Sequence, residues 1–208
     1  MFIRCENDPN PNPKITIPDK NFLKALVKLG VDTNGDSIIS PAEAEKITYL
    51  DVSGKRISDL SGIEAFVNLD TLNCGENQLT SLDLSKNILL KYLNCYYNNK
   101  ITSINISKNT LLTSLDCSYN QLTGLDVSNN TALKRMWCMS NKLTSLDVSK
   151  NAALEMLVCF INQLTSLDVS KNSLLFHLSC NENRLTSLDV SNNTLLNYFD
   201  CSCTKSHP

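Results

Sequence analysis

Seven cysteines, Cys74, Cys95, Cys117, Cys138, Cys159, Cys180 and Cys201, recur 21 residues apart with one interval of 22. Such thiols could bridge, hold a soft metal or cycle through redox states. A metal site needs ligands that converge on one point, and an evenly spaced row along an axis does not converge. The nearby histidine, His177, falls on the opposite strand face from Cys180. Bridges between in-register neighbours would strain a strand ladder. The spacing therefore points to small buried hydrophobes, ordinary behaviour for free thiols. Cys5 and Cys203 stand outside the row, where either is open to reaction or bridging. Only two histidines exist, and there is neither a carboxylate pair in an apolar setting nor a phosphate-cradling glycine loop. No catalytic residue is assigned and enzymatic activity is not expected.

A second set of chemical groups lies in "DTNGDSIISPAE". Asp32, Asn34, Asp36, the Ile38 carbonyl, Ser40 and Glu43 occupy positions 1, 3, 5, 7, 9 and 12 of a stretch that resembles an EF-hand loop. The resemblance implies a Ca²⁺ site of structural purpose, with Ser37 standing at position 6 where the motif has Gly. The other reading is a helix-loop-helix cap with an acidic loop. Before the loop, Phe22, Leu23, Leu26, Val27 and Leu29 give a mostly one-sided apolar stripe, ended by Gly30. After it, Ser40, Pro41 and Glu43 provide an N-cap, a first helical proline and a capping-box acid.

The elements that position both sets follow from repetition. "LTSLDVSKNAALEMLVCFINQ", "LTSLDVSKNSLLFHLSCNENR" and "LTSLDVSNNTLLNYFDCSCTK" run one after another. A period this short and regular is the mark of a solenoid, in which no coil buries its own apolar face. The unit reads LxxLxCxxNxLTSLDVSxNxx and resembles the leucine-rich repeat, with Cys in place of an inward Leu. Strands stacked in parallel about 4.8 Å apart align equivalent residues into continuous rows. Asn77, Asn98, Asn120, Asn141, Asn162 and Asn183 form one such column, able to bond backbone groups left unpaired where the strand turns. In the second half-coil Leu146, Val148 and Asn151 repeat that logic. Outside it Asp83, Asp126, Asp147, Asp168 and Asp189 form a like-charged row, which Lys86, Lys108, Lys150 and Lys171 are expected to relieve in part.

The helical cap running straight into "ITYLDVSGKRISDLSGIEAFVNLDTLNCGENQLTSL" is similar to the start of bacterial internalin-type leucine-rich repeat proteins, some of which carry 21-residue repeats with a cysteine ladder. The expected fold is an α/β solenoid, with a parallel β-sheet on the concave face and a small helical N-terminal cap. The expected divisions are a flexible tether over 1–17, the EF-hand-like cap over 18–46, the solenoid over 47–203 and a tail over 204–208. The resemblance implies an exported, non-catalytic surface or secreted protein that adheres to a protein or glycan ligand. Similar cap-plus-repeat proteins also occur as exported lipoproteins, in which case Cys5 would carry the lipid anchor with "ENDPNPNP" as spacer, an ordinary tail cysteine being the alternative.

Alternation along each strand places Met136 and Cys138 inside, and Trp137 and Met139 outside. The outward rows collect most of the aromatic residues, whereas the inward columns are nearly all Leu, Val, Ile and Cys. Trp137, Met139, Met156, Val158, Phe160 and Ile161 should touch as one apolar patch, with Tyr92, Tyr96, Tyr97 and Tyr119 beside it. Arg135, Phe176, His177 and Tyr198 complete the candidate ligand-binding set. Exposed apolar patches of this kind mark interaction sites, here for a ligand or for self-association, for which the last coil is the other candidate. A net charge of −2 and a pI near 5.7 give no footprint for nucleic acid. No run of about 18 apolar residues spans a bilayer, and the start "MFIRCENDPNPNPK" lacks the apolar core of an export signal.

Overall fold

The computed structural model describes residues 14–202. Ten short strands follow one another: β1 Tyr49–Asp51, β2 Thr71–Asn73, β3 Ser81–Asp83, β4 Tyr92–Asn94, β5 Ser103–Asn105, β6 Ser114–Asp116, β7 Arg135–Trp137, β8 Met156–Val158, β9 His177–Ser179 and β10 Tyr198–Asp200. All except β3 and β5 pair in chain order as one eight-stranded parallel sheet, while β3 and β5 make a two-stranded sheet from the second half of their coils. The register never slips, so Leu50, Leu72, Leu93, Leu115, Met136, Leu157 and Leu178 form one buried row.

Two residues further on, Cys74, Cys95, Cys117, Cys138, Cys159 and Cys180 form the next buried row. Burial disfavours the thiolate and pushes Cys74, Cys95, Cys117, Cys138 and Cys159 up, Cys74 to about 12 and Cys95 and Cys138 well above the ordinary value. Because the thiolate is the nucleophile, these six cysteines should resist iodoacetamide in the native protein at about pH 8 and react once it is denatured. Native-state labelling at the rate of an exposed cysteine would show the row to be open. Cys201 departs from the expected buried row: it is exposed, because it belongs to the last described coil, whose outer side no further described coil covers. Cys5, Cys203 and the 204–208 tail lie outside the described residues.

The asparagine column works as its chemistry requires. The Asn141 amide donates to the carbonyls of Cys117 and Cys138, both at 3.1 Å, and its oxygen accepts the Leu122 N–H at 3.0 Å. Asn162 repeats this one coil on, with Cys138, Cys159 and Leu143. Asn120 is the exception, its buried side-chain oxygen lacking a hydrogen-bond partner. Its coil is the 22-residue one: an extra residue between Asn98 and Ile101, where Asn99 sits at φ 60°, displaces the amide that would have donated. A second buried column, Asn87, Asn109, Asn130, Asn151, Asn172 and Asn193, ties the other half-coils together, Asn151 donating to the Val127 and Asn130 carbonyls. The aspartate row outside it is settled by local turns more than by lysine. Asp147 and Asp168 each accept the N–H of the serine two residues on at 2.8 Å, which holds both carboxyls below their usual range.

The N-terminal cap comprises α1 (Lys20–Lys28) and the single turn α2 (Pro41–Ala44). Phe22, Ala25 and Leu26 are buried, whereas Leu29, expected on the same stripe, is exposed beyond the end of the helix. Asp19 locks the cap to the first coil: one carboxylate oxygen caps α1 through the Asn21 and Phe22 N–H groups, and the other accepts from the Ser58 N–H and hydroxyl and the Asp59 N–H. Residues 15–17, expected within the tether, lie against the fold. Ile15 and Ile17 are half-buried against the core, and the Ile15 N–H donates to the Ile39 carbonyl. A Cβ at Gly62 would come within 2.8 Å of Ile17, so only glycine lets this segment lie so close.

Candidate binding surface

Strand alternation and the unshifted register place the outward residues as the sequence requires. Tyr92, Arg135, Met156, His177 and Tyr198 share one row across the sheet. Trp137 lies beside Asp116 on one side and Val158 on the other. The end of this face nearer the cap holds a shallow concavity of about 280 Å³, lined by Tyr49, Tyr92 and Trp137 with Asn73, Asn94 and Asp116 between them. Trp137 is therefore the residue shared by a polar, tyrosine-walled groove and the apolar patch.

In that patch Trp137, Met139, Met156 and Phe160 are half-buried and Ile161 is exposed. Val158 corrects the expectation, being only 6% exposed. Trp137 lies beside it in register, and Met156 and Phe160 follow two residues either way on the same face, so larger side chains overtop it. Phe176 is half-buried and stands one residue before β9, in the flanking column of Lys134 and Glu155, and so is not brought into the patch. His177 and Tyr198 stack at 4.2 Å, a separate aromatic pair toward the last coil. Lys134 and Glu155 pair at 3.4 Å on the flank.

The turn after each strand of the concave sheet contributes a feature that repeat spacing alone did not reveal. Glu76, Tyr97, Tyr119, Ser140, Ile161 and Glu182, each directly before a ladder asparagine, all sit at φ between 51° and 54°. This left-handed turn thrusts the side chain outward at a steric cost for any residue with a Cβ, of order 1–2 kcal/mol and greatest for a β-branched one. Yet the column carries two tyrosines and an isoleucine. Tyr97 packs against Tyr96 and Tyr119 with ring centroids 5.9 Å apart in both pairs. The Tyr96 hydroxyl donates to Glu76 at 2.7 Å, which raises its own pKa. Its ring lies over Gly75, where a Cβ would meet it at 2.9 Å.

The six residues of the calcium pattern are tied together by hydrogen bonds within the cap loop. Ser37 does take the left-handed turn expected of the motif's glycine, at φ 61°. Asp32 accepts the Gly35 and Ser37 N–H groups, and Asp36 accepts from the Ile38 N–H and the Asn34 amide. Glu43, which in a calcium loop would clasp the ion with both oxygens, is 5% exposed. One of its oxygens accepts the Thr33 N–H and hydroxyl, and the other accepts the Ser40 N–H and hydroxyl. Among the described residues no group of three or more His, Cys, Asp or Glu could hold a metal ion. As placed, Glu43 is engaged within the cap, and calcium binding would require it to exchange its bonds to Thr33 and Ser40 for the ion.

The stacked coils, buried leucine rows and asparagine columns define the class: the chain is a leucine-rich repeat solenoid, and the leucine-rich repeat family matches residues 111–133 directly. More particularly, its buried cysteine row makes it similar to internalin-type leucine-rich repeat proteins that carry a cysteine ladder. It is similar to Internalin J of Listeria monocytogenes serotype 4b (strain F2365), with 38% identity over 70 residues, 34% of this chain and 8% of that protein. It also resembles the solved functional domain of InlJ from Listeria monocytogenes, which includes a cysteine ladder, with 33% identity and a TM-score of 0.51. That likeness covers 91% of this chain and 52% of the other, so the chain spans about half the length of the solved relative. The crystal structure of internalin C2 from Listeria monocytogenes str. 4b F2365, at 19% identity and a TM-score of 0.60 over 90% of this chain and 94% of that one, shares the fold.

Proposed function

We propose that the protein is a non-catalytic adhesion module that binds a protein or glycan ligand through the aromatic part of its concave face. The observation that carries this reading is the column of strained turns. Tyr97, Tyr119 and Ile161 hold large side chains in solvent at φ 51° to 54°, where asparagine or glycine would be more stable. They flank Trp137, Met139 and Phe160, so exposed apolar surface is concentrated where the backbone also bears strain, a pattern expected of a working surface. The mixture of tyrosines with Met156 and Ile161 favours a protein ligand over a sugar. Export to a bacterial surface belongs to the same proposal and rests on the likeness to internalins, while a lipid anchor at Cys5 rests on the Asn- and Pro-rich stretch that follows it in the sequence.

The test is a parallel screen of glycan arrays and surface proteins against the wild type and a Trp137→Ala/Phe160→Ala variant. Loss of two central anchors should weaken the true interaction by roughly thirtyfold or more. Unchanged binding would refute this assignment of the site. A concentration-dependent dimer abolished by the same pair would give the patch to self-association instead.

A further inference from the structure

Where α1 packs against the first coil, the structure forms a cavity of about 600 Å³, separate from the aromatic patch. Its wall carries Lys24 and Lys28 from α1 and Lys55 and Arg56 from the turn after β1, with Asp51 as the lone carboxylate. All four cationic residues are exposed, and none makes an ion pair among the described residues, whose pairs are Lys91–Asp70 and Lys134–Glu155. In a chain whose net charge is −2, this corner gathers four cationic side chains against one carboxylate, Asp51, whose charged form Lys55 favours. Lys24 and Lys28 sit one helical turn apart, where like charges repel. Arg56 adds backbone strain, held at φ 59° while its carbonyl accepts the Asn21 amide at 3.0 Å. Leu29, half exposed, supplies an apolar wall.

We infer that this cavity binds an acidic sugar, its sulfate or carboxylate group held by Lys24, Lys28, Lys55 and Arg56. A volume of this size suits a small ligand, and unpaired lysines converging on a recess act as point charges for an oxyanion. Asp51 selects against a purely acidic peptide. Its carboxylate already takes the Ser53 N–H and hydroxyl at 2.9 and 2.6 Å and the Asn73 amide at 3.1 Å. Its remaining acceptor capacity suits a sugar hydroxyl, a donor that the side chains of an acidic peptide do not offer. The site was not foreseeable from repeat spacing, because its two halves come from the cap and the first coil.

Calorimetric titration of the full chain with sucrose octasulfate, digalacturonate and a hexaglutamate peptide tests this. One or both sugars should bind, with affinity falling as salt rises from about 50 to about 200 mM. The Lys28→Gln/Lys55→Gln variant should lose roughly tenfold or more, while Lys142→Gln/Lys150→Gln, with lysines placed elsewhere, should not. Circular dichroism should show the same melting for all three proteins. The Trp137→Ala/Phe160→Ala variant should still bind the sugar, so this inference stands or falls independently of the concave-face reading. Whichever sugar binds identifies the oxyanion. No heat from either at millimolar concentration, equal loss in both lysine variants, or binding confined to hexaglutamate would overturn it.

Discussion

Replacement of Asn162 by alanine is expected to destabilise the solenoid by about 2–3 kcal/mol and to loosen the coils around it first. Its amide donates to the Cys138 and Cys159 carbonyls at 3.0 and 3.1 Å, and its oxygen accepts the Leu143 N–H at 3.0 Å. Alanine would leave that N–H buried without a partner. The carbonyls lose less, because Cys138 also accepts from Asn141 and Cys159 from Asn183. That sharing keeps the figure below a simple sum over three broken bonds. Asn120→Ala provides an internal comparison. Its oxygen already lacks a donor, so its removal should cost about 1 kcal/mol less. Urea unfolding would give both values, and hydrogen exchange would locate the loosened coils, since each coil contacts mainly its neighbours. Equal destabilisation by the two substitutions would show that the oxygen-side bond contributes nothing.

How far the sequence disclosed the molecule depends on whether a feature repeats. The inward rows, the thiol row and the asparagine column each recur at every coil, so one period and strand alternation locate them, and the register confirms Trp137 outside and Met136 inside. Features set by neighbours were not legible. Val158 has the alternation of an outward residue, yet the bulk of Trp137, Met156 and Phe160 around it leaves it buried. Cys201 has the spacing of a ladder residue, but burial needs a covering coil. The left-handed turns escaped because asparagine and glycine, the usual markers of positive φ, are replaced there by Glu, Tyr, Ser and Ile. The basic cavity requires the packing of α1 on the first coil, which no local pattern encodes. Glu43 shows the same limit from the other side. Its type and position satisfied two motifs, the capping box and the calcium loop, and only the side chain's direction separates them.

That direction makes Glu43 the residue on which the cap depends. Glu43→Ala should destabilise the cap by about 3 kcal/mol, since it removes charge-assisted bonds to Thr33 and Ser40 that run from 2.7 to 3.0 Å. Thr33 is exposed and its amide can turn to water, but Ser40 is buried and its N–H and hydroxyl cannot, so most of the loss arises there. The same bonds, the Ser40 and then the Thr33 backbone N–H foremost, hold the carboxyl at about 2 against an ordinary 4.5. Between those values the unfolded chain binds a proton that the folded chain does not, so stability rises with pH across this window. The stabilisation is complete above about 4.5 and lost as pH falls toward about 2. The difference in melting temperature between wild type and Glu43→Gln should therefore be constant near neutrality and shrink through that window. A difference that stayed level down to pH 2 would show that the carboxylate does not hold these bonds. Calcium could take Glu43 only by breaking them, so about 1 mM Ca²⁺ should leave the melting of the wild type unchanged. A calcium-dependent rise in the wild type that Asp32→Ala abolishes would show instead that the loop can rearrange around the ion, with Glu43 released from Ser40 to clasp it.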